Sequence, residues 1–514
     1  MASSLQLEEE AAGKLETIHA SAMAKSKKKT DVVDSTNLPI LELLSLKAPI
    51  FQSLLHPELP IIITGFGTGH IVCHRYDPAK LQSHLNRRRR IDTATTGKDA
   101  KKGVCPWIRL DIDLETGDLK LVDIEEQHQQ KQTGKDEDLG VKTLWKTKRH
   151  KGSVRAMCFD SKGDNIFSVG SDNVLKKANT MTGKVVKKVN LSSLFNSEEK
   201  KNDKFTKLCA SQTHPFILIG DESGNIHVIN SENLALSNSI RSIHFGDSIN
   251  DIFHFDKRSA YKFISLGQTT LAYFDVRDKD AKPNVAGNED GKILISDDQE
   301  DEVLCGCFVD PEVADTLLCG MGEGIVTVWK PNKNDLEDQM SRIKISKDES
   351  IDCIVPTLQD DNCVWCGCSN GNIYKVNAKL GKVVEVRNHS ELDEVSFVDL
   401  DFEYRVVSGG LENIKIWELS SDDVEENASV ESDSDEPLSH SDEDLSDDTS
   451  SDDETTLVGL SKEELLDELD KDLKEDHQEE KESNSKSVKK RKIMKENNKK
   501  KDLYEHGIKK FDDL

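Results

Sequence analysis

The chain has 514 residues, 35% of them hydrophobic, with a mean hydropathy of -0.58 and a formal charge of -27. No apolar run approaches the roughly 20 residues of a membrane-crossing helix, and eleven scattered cysteines with no secretory leader ahead of them are expected to stay reduced in a soluble, intracellular protein. So little apolar content implies unfolded segments, and the charge says where: 33 acidic and 15 basic residues follow Trp417, a net of -18 that leaves -9 for the first 417.

Residues 1–36 are polar, show no strand pattern, and are expected to be disordered. From 37 to 419 one unit recurs: an apolar strand ending in glycine, a tight turn, and a second alternating strand, which is a β-hairpin with buried faces. The marker glycines are Gly65, Gly170, Gly220, Gly267, Gly320, Gly367 and Gly409, with gaps of 105, 50, 47, 53, 47 and 42. All but the first gap fall near the 40 to 50 residues of a propeller blade. Further strands precede most hairpins, at Ser153 to Phe159, Ile249 to Phe255 and Glu394 to Leu400, and are expected to line a central channel.

The spacing predicts an all-β, seven-bladed propeller of WD-repeat type. The Trp-Asp dipeptide is replaced by Trp329-Lys330, Trp417-Glu418 and Phe274-Asp275, and the Gly-His step by Arg149-His150 and Asn388-His389. His150 and Asp172 are expected to form the hydrogen bond that ties strands in such blades. The last blade stops at its third strand, and a ring must close or expose an edge, so Ile40 to Ser45 is expected to supply the missing strand.

The long first gap holds an insertion, about 78–140, expected to be a loop. Its basic tract, Arg87-Arg88-Arg89-Arg90 with Lys98, Lys101 and Lys102, makes those four arginines candidate RNA contacts. Trp107 to Ile124 reads as a hairpin around Glu115 to Asp118.

No enzyme signature emerges. Thr182-Gly183-Lys184-Val185 and Leu380-Gly381-Lys382-Val383 lack the flanking residues of a phosphate loop, and Gly320, Gly322 and Gly324 join two strands instead of opening a helix. Cys363, Cys366 and Cys368 have no partner pair at zinc-site spacing. Neither cofactor, metal, membrane nor small-molecule substrate is expected.

Residues 420–459 form an acidic, serine-rich stretch expected to stay extended. Ser432, Ser439, Ser441, Ser450 and Ser451 each have an acid three positions on and are candidate phosphosites for acidophilic kinases. At 460–482 Ser461 and Glu464 make a capping box before Leu465, Leu466, Leu469 and Leu473, so an amphipathic helix is expected. In the basic tail, 483–514, Lys486, Lys489, Lys490, Arg491 and Lys492, then Lys499, Lys500 and Lys501, resemble a bipartite nuclear localisation signal.

With seven degenerate blades, the stretch beginning Ala48-Pro-Ile-Phe-Gln-Ser-Leu-Leu-His-Pro, the Gly-Ile-Val-Thr-Val-Trp-Lys blade and an acidic then lysine-rich tail, the chain resembles the fungal Jip-type members of the WD repeat-containing protein 55 family. That resemblance implies a nucleolar, non-enzymatic scaffold for making the large ribosomal subunit and processing its RNA. Its partners would be pre-ribosomal proteins and ribosomal RNA. A competing reading is a substrate receptor of a cullin-type ubiquitin ligase, because Phe274-Asp275-Val276-Arg277 resembles the Trp-Asp-x-Arg box, with Asp275 and Arg277 as the adaptor contacts. A histone-binding chromatin adaptor is the third.

Overall fold

Ile61, Ile62 and Ile63 show how the ring is assembled. Successive side chains of a strand point to opposite faces, and here both faces are buried: Ile61 and Ile63 pack toward the following sheet, Ile62 toward the last one. A computed structural model describes residues 33–34, 37–94, 105–122, 139–194, 204–279, 281–284 and 291–419. They form seven sheets in a ring, the expected propeller, with one hydrophobic cluster between each adjacent pair.

Each blade runs outward from a channel-lining strand through three antiparallel steps. Blade 1 takes its strands from 50–76 and 141–148, blade 2 from 154–190, blade 3 from 205–240, blade 4 from 251–295, blade 5 from 303–344, blade 6 from 351–388, and blade 7 from 397–417 with the N-terminal strand added. The innermost strands include Val154–Phe159, Asp251–His254 and Phe397–Leu400, as the sequence suggested. Six of the seven marker glycines, all but Gly409, stand at the ends of the second strands where a neighbour leaves no room for a Cβ. At Gly170 it would lie 2.5 Å from the His150 ring, and at Gly220 2.7 Å from Ile249.

Pro39–Leu44 closes the ring, pairing antiparallel with Asn413–Trp417 in the register Leu41 to Ile416 and Leu43 to Ile414. It is not the edge of blade 7, however. Ile108–Ile112 pairs parallel to it and Leu119–Leu121 follows, giving a six-stranded sheet. The expected hairpin therefore exists, with Gly117 at φ +90 in its turn, and it extends the closing blade.

Two expectations are corrected. The start of the insertion is no loop: Pro78–Ala94 is a 17-residue helix, α1. Asp77 caps it, its Oδ1 accepting from the Lys80 N–H at 3.1 Å, and Pro78 occupies the first turn, where its missing N–H costs nothing. Leu81 and Leu85, one turn apart and fully buried, dock it on the blade 7 sheet. Within 1–36, Val33–Asp34 forms a short strand parallel to the outer strand of blade 6, Val33 opposite Glu385.

Candidate interaction surfaces

Four buried histidines of the ring are tethers. His150 Nδ1 and Nε2 lie 2.9 Å from Asp172 Oδ1 and 3.0 Å from Ser168 Oγ, the pair expected from sequence with a serine added. His389 Nδ1 meets Ser408 Oγ at 2.8 Å, and Trp417 Nε1 donates to that same oxygen at 2.8 Å. Sequence reasoning missed two more. His244 bridges Thr270 and Ser265 at 2.7 and 2.8 Å, and His227 pairs with Asp221 at 3.1 Å. His244 follows Ile243, so no Gly-His signal marks it. Burial holds His244 and His389 down to about 3 and thus neutral, which suits a strand tether and no acid-base role.

Helix α1 divides the four candidate RNA-contact arginines. Arg89 turns inward onto Glu418, while Arg87 and Arg90 are exposed and Arg88 is half-buried. Arg87 reaches the His84 ring at 3.2 Å, and both border an open hollow of about 530 Å³ with Lys80 and Ser83. The tract thus offers two outward arginines, not four.

Glu418, standing where a WD repeat has aspartate, is 7% exposed and also accepts from Leu38 N at 2.8 Å and Gln82 Nε2 at 3.2 Å. Across the closing strand pair, Glu42 plays a similar part. It accepts from Trp107 Nε1 at 2.9 Å, Arg109 Nε at 3.1 Å and Asn413 Nδ2 at 3.0 Å, with Lys415 Nζ at 3.9 Å. Burial alone would raise its carboxyl, but Lys415, Trp107, Arg109 and Asn413 together hold it below the usual range.

Asp275 ends a third strand, Leu271–Asp275, and Arg277 follows in the turn after it. They bind each other through Nε to Oδ1 at 2.9 Å and Nη2 to Oδ2 at 2.6 Å, and the guanidinium lies 4.3 Å over Tyr261. Arg277 remains 58% exposed, so its outer edge can still be approached. Cys363, Cys366 and Cys368 share one strand, buried, with burial pushing each thiol up. Among the described residues no cluster of three His, Cys, Asp or Glu has metal-holding geometry, and no helix is long and apolar enough to cross a membrane. The candidate phosphosites, the amphipathic helix at 460–482 and the candidate localisation lysines lie outside the described residues.

A second basic surface escaped the sequence reading. Residues 139–194 hold twelve Lys and Arg against three Asp and no Glu, a net of +9 in an acidic chain. The signal was legible as a windowed charge but not as a run, because the basic residues come singly or in pairs spread over several strands.

Comparison with known proteins adds the family. A WD repeat-containing protein JIP5 from Saccharomyces cerevisiae is 99% identical over 492 residues, covering 96% of this chain and all of that one. The chain belongs to the JIP5 family of WD repeat-containing proteins. JIP5 relatives from Vanderwaltozyma polyspora and Eremothecium gossypii are 53% and 49% identical, over 78% and 81% of this chain and 70% and 76% of theirs. No family model matches. Membership agrees with the ring, since WD-repeat propellers serve as interaction scaffolds.

Proposed function

We propose that this JIP5-family propeller is a non-enzymatic scaffold of the nucleus and nucleolus that joins proteins and RNA during assembly of the large ribosomal subunit and processing of its RNA. The observation that carries the reading is the division of charge. Basic surfaces, the outward arginines of α1 and the rim at 139–194, stand on a rigid ring whose chain is acidic as a whole. Such surfaces recruit phosphate backbones while acidic segments hold basic proteins. The Ser/Asp/Glu stretch and the lysine pairs of the C-terminal sequence support the same reading. Affinity purification from nuclear extract, with and without ribonuclease, tests it: large-subunit precursors should co-purify. Recovery of a cullin adaptor or histones without precursors would replace it.

A further inference from the structure

Between the outer strands of blades 1 and 2 lies an open cleft of about 630 Å³. One wall comes from Val141–Lys148, which contributes Lys148, and the other from Val185–Asn190, which contributes Lys187 and Lys188. Lys176 and Arg149 complete it. None of these five cations has a carboxylate within ion-pair distance among the described residues.

Arg149 is the unusual member. It is 4% exposed, yet its guanidinium makes one hydrogen bond, Nη2 to the Gly183 carbonyl at 2.8 Å, and lies 5.1 Å over the Trp145 ring. Its Nε and Nη1 find no acceptor. A buried charge without a counter-charge is costly to a fold. Beside it, Lys176 donates to the Arg149 carbonyl and stands directly opposite Lys188 across the strand pair. Like charges in that position repel until an anion bridges them.

We propose that this cleft is a phosphate-binding site for the sugar-phosphate backbone of RNA, with Arg149 and Lys176 at its base and Lys148, Lys187 and Lys188 along its walls. Two features favour a repeating polyanion over a single phosphorylated side chain. Positive charge continues beside the cleft at Lys184, next to Gly183 of its lining, and at Lys151, two residues from Arg149, so one bound phosphate would leave part of the rim unanswered. Trp145, the aromatic ring beside Arg149, is 9% exposed and covered by that guanidinium, so it offers no platform for stacking a base. Contact is therefore with the backbone and indifferent to sequence. The inference rests on the reading that the protein meets RNA, but the two fail separately.

The test uses the full chain and an RNA duplex of about 20 base pairs, with lysine acylation footprinting by mass spectrometry alongside anisotropy titrations over a salt series. RNA should protect Lys148, Lys187 and Lys188. The double variant Lys187→Glu/Lys188→Glu changes two exposed side chains, so its thermal midpoint should match the wild type. It should weaken binding about tenfold and lower the slope of log Kd against log salt by about 2. Protection confined to the lysines at 486–501, with the double variant binding normally, overturns the cleft and leaves RNA contact standing. No binding by the wild type overturns both. If inositol hexakisphosphate or a phosphoserine peptide protects the cleft lysines and RNA does not, RNA is the wrong occupant.

Discussion

Arg89 and Glu418 form a two-pronged ion pair, Nη2 to Oε1 at 2.6 Å and Nη1 to Oε2 at 2.9 Å. It fastens helix α1 to the residue just past Asn413–Trp417, the strand on which Pro39–Leu44 closes the ring. A basic tract is thereby split into a structural arginine and outward-facing ones. Arg89→Ala leaves a nearly buried carboxylate short of two donors and should cost about 1–3 kcal/mol, measured by urea denaturation. Arg87→Ala, on the exposed side, should stay within about 0.5 kcal/mol. Equal losses at the two positions would contradict this division.

The Glu42 cluster holds the closure. Glu42→Met strands Lys415, which is 8% exposed, and should destabilise the ring by about 3–5 kcal/mol. Adding Lys415→Met should recover much of that loss, because removing both charges is far milder than removing one. A double variant no more stable than the single one would show that the charges do not act as a pair.

Acid sensitivity follows from buried neutral histidines. Burial depresses His74 to about 4, and His244 and His389 to about 3, from an ordinary 6.5. As pH falls below 6.5 the unfolded chain takes up protons that these rings refuse. Their contribution to stability is full above 6.5 and is lost progressively down to about 3–4. His74 has no hydrogen-bond partner on either ring nitrogen, so His74→Leu should flatten the fall between pH 6 and 4 by up to about one proton per molecule. An unchanged slope would mean that His74 titrates normally.

Asp399 has the opposite sign. On the innermost strand of blade 7, it is raised to about 6 by burial and the nearby Asp401, against the Leu400 N–H that stabilises its charge. A carboxyl raised on folding favours the native state below the unfolded value of 3.8 and loses that advantage as pH climbs to 6. Asp399→Asn should therefore raise the denaturation midpoint at pH 7.5 and have no such effect at pH 4. A gain of equal size at both would assign the effect to packing.

Gly170→Ala places a methyl against a His150 ring that Asp172 and Ser168 hold on both sides, and should cost about 1–3 kcal/mol by overpacking. Gly381, at φ +63 with nothing within 4 Å, meets only backbone strain. Its alanine variant should lose about 1 kcal/mol. The comparison separates a packing glycine from a turn glycine by thermal melts alone.

The ring was legible because blades 1 to 6 repeat a steric demand, a glycine where a neighbour passes too closely for a Cβ, and blade 7 keeps the same turn without that crowding. The closing strand was legible as a deficit, blade 7 ending at Trp417 without an outer strand. Helix α1 was not, because its apolar stripe is only Leu81 and Leu85 in a run of polar and basic residues, although Asp77-Pro78 is a good helix start. Nothing local marks the parallel pairing of Ile108–Ile112 with the N-terminal strand. The cleft was hidden for a related reason: Lys148 and Lys187 belong to different strands and meet only in the folded ring.

Closure by the N-terminal strand also sets an order of events during synthesis. Leu41 leaves the ribosome early, but its partner Ile416 is made 375 residues later, after every other blade. Until then an apolar strand, Pro39–Leu44, has one edge it cannot satisfy, the condition that invites aggregation. Ile108 is only 67 residues from Leu41 and pairs with its other edge. The insertion, already elongated when blade 2 begins, gives the waiting strand a companion inside the same nascent chain and shortens the interval in which it stands alone.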